Sequence, residues 1–128
     1  MSTIALVDDD TDLRAVVAMR LRSAGYEVHQ SGDGVAGLEL IRVSRPDLIV
    51  LDWMMPAKDG IEVCREVRAD EDLAETPILI VTSRATSVDL AVGRAAGATS
   101  ILTKPFSLAT LLDVVRGMLG TDPETAAG

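Results

Sequence analysis

Four short aliphatic runs in this chain each lead into residues able to do chemistry. Ile4–Val7 runs into Asp8, Asp9 and Asp10, and Leu48–Leu51 runs into Asp52. Ile78–Val81 runs into Thr82 and Ser83, and Lys104 and Pro105 follow the run Ser100–Leu102. Carboxylates packed together repel one another, so Asp8, Asp9 and Asp52 all stay ionised only beside a cation. A hard oxygen-binding ion such as Mg2+ suits one or two carboxylates with a backbone carbonyl and water. Lys104 adds a fixed point charge and Thr82 a hydrogen-bond donor. One carboxylate surrounded by Mg2+, an ammonium and a hydroxyl is a cradle for a phosphoryl group. Asp52 is then the candidate nucleophile, with the cations neutralising the phosphoryl oxygens.

These groups meet only if the runs that carry them lie side by side with their carboxyl ends at one edge, where open α/β sheets place their sites. The rest of the chain supplies that arrangement. The four runs and Glu27–His29 alternate with longer stretches of helical spacing. Leu13, Val16, Val17, Leu21 and Ala24 mark one buried helix face, with Arg20 at its edge. Asp10 or Thr11 can cap that helix and Gly25 can end it. Leu38 and Ile41 mark a second helix, closed by Arg45-Pro46. Ile61, Cys64 and Val67 mark a third, Leu90 and Ala91 sit in a fourth, and Leu108, Leu111, Leu112, Val115 and Met118 mark a fifth. Five strand–helix repeats predict one doubly wound (βα)5 domain of the α/β class, a parallel sheet with helices on both faces. Leu48–Leu51 and Ile78–Val81 are apolar throughout, as strands buried on both faces must be. The domain is expected over residues 1–120. Residues 121–128, small and polar with a proline, read as a flexible tail or the start of a linker.

Composition fits that picture and narrows the function. The chain has 128 residues and a net charge of -8, which repels nucleic-acid backbones and anionic membranes. Tyr26, Trp53 and Phe106 are the only aromatics, so the core is aliphatic. The single cysteine, Cys64, rules out an internal disulfide, fits a reducing cytoplasm and sits on an apolar helix face as core. No apolar run is long enough to span a membrane, and the first residues lack the basic and apolar segments of a signal peptide.

The strings IALVDDD, LIVLDWMMP, ILIVTSR and ILTKPF, in that order and each at a strand end, resemble the signature segments of response-regulator receiver domains. MPAKDG resembles the loop after the phospho-acceptor, and AAGA the stretch before the last strand; the likeness covers roughly residues 3 to 119. It implies the chemotaxis-type receiver fold, with strand order 2-1-3-4-5, and a cytoplasmic two-component switch. It implies Asp52 as phospho-acceptor, with Mg2+ (or Mn2+) held by Asp9, Asp52 and the backbone carbonyl of Met54, and by Asp8 through water. Lys104 would grip the phosphoryl group and Thr82 would swing toward it. The donor would be a sensor histidine kinase or a phosphotransfer protein, and an output partner would read the modified form. The domain itself is expected to bind neither nucleic acid nor membrane, and to be a monomer or a weak phosphorylation-dependent dimer.

Several features depart from the family pattern. Ile101 stands where the family usually has a Tyr or Phe that rotates inward with the threonine; the switch positions are then Thr82 and Ile101, but with no ring to rotate the usual gate is absent and the fourth helix is expected to carry the change instead. Thr99 and Ser100 replace the acidic residues common in the DNA-binding branch, and the last helix lacks that branch's Glu-Leu-x-Ala-Arg pattern. Met54 and Arg84 occupy the positions that tune phosphoryl lifetime in receivers. Met is bulky and orients water poorly, and Arg can lie over the phosphoryl oxygens, so slow hydrolysis is expected. Asp10 reads as a helix cap, and His29 as a surface residue remote from the site. Two other functions compete. A phosphatase of the haloacid-dehalogenase class also uses an aspartyl phosphate, and Asp8-x-Asp10 has its spacing, but such an enzyme needs a cap for which the chain has no residues. A phosphorylation-independent scaffold would not require the full set of acids, Thr82 and Lys104.

Overall fold

The computed structural model describes residues 1–120; the tail expected over residues 121–128 lies outside the described residues. Five strands and five helices alternate. They are β1 (Thr3–Val7), α1 (Thr11–Ser23), β2 (Glu27–Ser31), α2 (Gly34–Ser44), β3 (Leu48–Asp52), α3 (Gly60–Ala69), β4 (Ile78–Thr82), α4 (Ser87–Ala96), β5 (Ser100–Thr103) and α5 (Leu108–Leu119). The strands form one sheet in the order β2-β1-β3-β4-β5, and every pairing is parallel. Right-handed crossovers dictate where the helices go. The chain moves outward from β1 to β2, then reverses and steps through β3, β4 and β5. That reversal puts α1 and α5 on one face and α2, α3 and α4 on the other.

Side chains alternate between two cores accordingly. Ala5, Val7, Ile49, Leu51, Ile78 and Ile80 pack with Leu38, Ile41, Ile61, Cys64 and Val67 of α2 and α3 and with Ala96 of α4. Ile4, Leu6, Leu48, Val50, Leu79 and Val81 pack with Val17, Ala18 and Leu21 of α1 and with Leu111, Leu112 and Val115 of α5. Every residue of β3 and β4 is buried, which is why these runs lack polar alternation.

Local signals set the helix ends. The Asp10 carboxylate accepts from the Leu13 N–H and starts α1. Gly25, at φ 101°, turns the chain after it. Arg45 adopts a left-handed conformation at the end of α2, where Pro46 disfavours another helical residue. One sequence expectation fails: Val16 is exposed, and Ala18 takes its place in the core. The buried stripe of α1 runs Leu13, Val17, Leu21 with Ala18 beside it, and at about 100° per residue Val16 falls off its edge.

Candidate active site

The sheet order reverses between β1 and β3, so the loops leaving these two strands turn away to opposite faces and open a crevice at their carboxyl ends. Asp8 follows β1 and Asp52 ends β3. Both are buried, each about 5% exposed. Carboxylate oxygens of Asp8, Asp9 and Asp52 all lie within 4.8 Å of one another. Lys104, just past β5, places Nζ 3.4 Å from Asp52 Oδ1 and 3.9 Å from Asp8 Oδ2. Its backbone N–H donates to the Thr82 carbonyl at 2.8 Å, which ties the lysine to the end of β4. Thr82 is buried, and Val81 pairs with Asp52 across the sheet, so the threonine stands one residue beyond the Asp52 carboxylate on the adjacent strand.

Backbone bonds fix this geometry. The Asp8 N–H donates to the Ser31 carbonyl and its carboxylate accepts from the Asp10 N–H at 2.9 Å. The Trp53 N–H donates to the Val81 carbonyl, and the Gly60 N–H donates to the Trp53 carbonyl at 2.8 Å. Gly60 is required by that approach, because a Cβ there would stand 2.3 Å from the Asp52 carbonyl oxygen. The loop from Met54 to Asp59 therefore arches beside Asp52, and Asp59 caps α3 by accepting from the Glu62 N–H.

Burial and crowding perturb the acids. Desolvation first, and then the Asp8 charge, push the Asp52 carboxyl up to about 6 against the opposing pull of Lys104. Asp8 is also raised, chiefly by burial, with the Asp10 N–H and Lys104 opposing. Two buried acids share one ammonium, so the pocket carries surplus negative charge that a divalent cation would neutralise. The donors are all oxygens, the set preferred by Mg2+ or Mn2+ rather than by softer metals.

Other predicted positions fall around this centre. Thr82 Oγ1 accepts from the Arg84 N–H at 2.9 Å. The Arg84 guanidinium lies 4.8 Å from the centroid of the Trp53 ring, with Nη1 3.9 Å from Met54 Sδ and Nη2 3.0 Å from Asp89 Oδ1. Met54 is exposed at the rim. Ile101 is half-buried and pairs with Ile80. Its Cδ1 presses on α4, 2.7 Å from where a Cβ on Gly93 would lie. Outside this centre, His29 pairs loosely with Glu27, and Cys64 is buried in the core with Sγ on the Ala96 carbonyl.

Sequence reasoning missed Asp89 and Arg14. Asp89 is buried, completes a capping box with Thr86 and holds Arg84. The Thr-x-x-Asp spacing ahead of α4 was its signal. Arg14 donates to the Asp8 carbonyl at 2.8 Å; an arginine one turn past an acid run was the only hint of it.

Comparison with known proteins agrees with this geometry. Residues 4–116 match the family described as the response regulator receiver domain. Response regulator MprA of Mycobacterium leprae is 43% identical over 125 residues, covering 97% of this chain and 54% of that protein. The chain thus spans about half the length of that relative. Among solved structures, Vibrio cholerae chemotaxis protein CheY4 superposes with a TM-score of 0.88 at 36% identity, covering 92% of this chain and 98% of that one. The receiver domain of sensor histidine kinase PA1611 from Pseudomonas aeruginosa, described with a magnesium ion coordinated in its active-site cleft, gives a TM-score of 0.86 at 32% identity and covers 94% and 98%. With the family matched over nearly its whole length and the predicted strand order observed, this chain belongs to the receiver domains of two-component response regulators.

Proposed function

We propose that Asp52 accepts a phosphoryl group from a phosphohistidine on a sensor histidine kinase or phosphotransfer protein. The observation that carries this reading is the convergence of three carboxylates within 4.8 Å on a buried Asp52 that also faces Lys104. An Asp52 oxygen attacks phosphorus, the new O–P bond forms, the N–P bond breaks, and its electron pair returns to the donor imidazole. Asp9, Asp52 and the Met54 carbonyl would hold Mg2+ (or Mn2+), with Asp8 acting through water. Bound there, the ion supplies neutralising charge for the phosphoryl oxygens. Lys104 neutralises another side of the group, and the Thr82 hydroxyl, freed from the Arg84 N–H, donates to it.

The role is that of a switch, not of a turnover enzyme: the domain catalyses only its own phosphorylation and dephosphorylation. The phosphorylated form favours a second conformation read by an output partner. Asp10 is taken up as the cap of α1, which removes the second acid that a dehalogenase-class phosphatase would need beside Asp8. Net acidity argues against direct nucleic-acid binding by this domain. Among the described residues no helix is long and apolar enough to cross a membrane. The proposed setting is cytoplasmic, and the proposed state is a monomer or a weak dimer formed on phosphorylation.

Incubation with Mg2+ and acetyl phosphate should add one acid-labile phosphate to the wild type and none to Asp52→Asn, read by intact mass. Equal labelling of the two proteins would overturn the assignment.

A further inference from the structure

Among the described residues, the one enclosed side-chain nitrogen or oxygen without a hydrogen-bond partner is Arg14 Nε. The rest of that guanidinium is closely placed. Nη1 donates to the Asp8 backbone carbonyl at 2.8 Å. The same nitrogen lies 2.8 Å from the position a Cβ on Gly32 would occupy. The guanidinium thus fills the space between the end of β1 and the loop after β2, and the bare Gly32 backbone makes room for it.

The Asp8 carbonyl belongs to the rigid peptide plane that also carries the Asp9 nitrogen. Fixing that oxygen fixes the direction in which the chain leaves Asp8, and so where the Asp9 carboxylate stands relative to Asp52. The other groups of Asp8 are already tied, its N–H to Ser31 and its carboxylate to the Asp10 N–H. Its carbonyl is the remaining degree of freedom, and Arg14 holds it. We propose that Arg14 is a positioning residue for the cation site, clamping the Asp8–Asp9 peptide against the Gly32 loop so that the acids converge. This rests on the cation-binding reading of the acid cluster.

Charge and position predict opposite signs, which makes the role testable. Arg14 is a cation beside a cation site. If it acted only through its charge, its removal would tighten Mg2+ binding. If it positions the acids, its removal weakens binding. The experiment is titration of the full chain with Mg2+, read by calorimetry and by Trp53 fluorescence, with circular dichroism to establish that each variant is folded. Arg14→Met should raise the Mg2+ dissociation constant about 10-fold, the scale seen when groups that orient metal ligands are removed. Arg14→Lys, which keeps the charge but offers a single ammonium, should fall between it and wild type. Gly32→Ala changes no charge and displaces only the flexible end of Arg14, so it should weaken binding in the same direction without unfolding the domain. It decides the matter if Arg14→Met does not fold. Unchanged or tighter binding by Arg14→Met, or wild-type affinity in Gly32→Ala, would overturn the assignment of Arg14 alone. Absence of saturable Mg2+ binding by the wild type would overturn the cation-site reading and the Arg14 role together.

Discussion

Replacing the Asp52 carboxylate by an amide should make the metal-free protein more stable. Asp52 titrates at about 6 in the folded pocket against an ordinary 3.8. At 1.36 kcal/mol per pKa unit, keeping it ionised when folded costs about 3 kcal/mol. The folded carboxyl holds its proton more tightly than the unfolded one. The contribution of Asp52 to stability is therefore most favourable below pH 4, falls as pH rises from about 4 to 6, and is level above that with the full cost present. Asp52→Asn is neutral throughout and escapes this cost, which is already net of the pull of Lys104, at pH 7.5, less what burying the amide costs. A gain of about 1–3 kcal/mol remains, which for a domain of this size is roughly 4–12 °C in Tm. The assay is thermal unfolding by circular dichroism in a chelator at pH 7.5 and pH 4. The increment should be present at the first pH and nearly gone at the second. Mg2+ should then narrow the gap at pH 7.5 by stabilising the wild type selectively. An Asn variant no more stable than wild type at pH 7.5, or equally favoured at both pH values, would refute the electrostatic account of the pocket.

Two further outcomes are expected. The phosphorylated wild type should lose its phosphate over minutes to hours, and Met54→Asn combined with Arg84→Glu should shorten that time by about 10-fold or more, because an amide and a carboxylate can orient the attacking water. Phosphate release after removal of the donor at constant Mg2+ measures this, and an unchanged rate in the double variant would remove both side chains from control of water access. Gly60→Ala should destabilise the fold by about 1–3 kcal/mol through overpacking, because its Cβ would meet the Asp52 carbonyl oxygen at 2.3 Å. Urea unfolding reads the loss, and wild-type stability would show that the loop after β3 can yield.

Much of this architecture was legible because burial on both faces leaves a plain trace: β3 and β4 are aliphatic at every position but the last, and that last position carries Asp52 or Thr82. The acids were legible for the same reason, since strand ends could be located from where the apolar runs stop. Strand lengths were less so. β2 continues through Gln30 and Ser31, polar residues that belong to the sheet only by pairing with Leu6 and Val7. Val16 was misplaced because its i+3 spacing from Leu13 fits a buried face as well as the i+4 spacing of Val17 does, and packing against the sheet covers only the latter. Arg68 left no sequence signal at all. Its guanidinium donates to the carbonyls of Gly97, Leu73, Ala74 and Thr76, joining α3 to the approach to β4 and the end of α4. Such a latch depends on where loops distant in sequence come together, which no local pattern encodes.

The parallel topology has a consequence for how the domain comes into being. Asp8, Asp52, Thr82 and Lys104 belong to four separate strand ends, and the last of them is donated by an edge strand made late in synthesis. A nascent chain that has released β1 to β4 already exposes its acids, yet it lacks the ammonium that faces them until β5 leaves the ribosome and pairs with β4. No earlier fragment can hold the complete constellation, and no hairpin contact can assemble it locally, because every strand pairing is bridged by a helix. If the proposed roles of these residues hold, competence to accept the phosphoryl group waits on the pairing of β5 with β4, the step that completes the sheet.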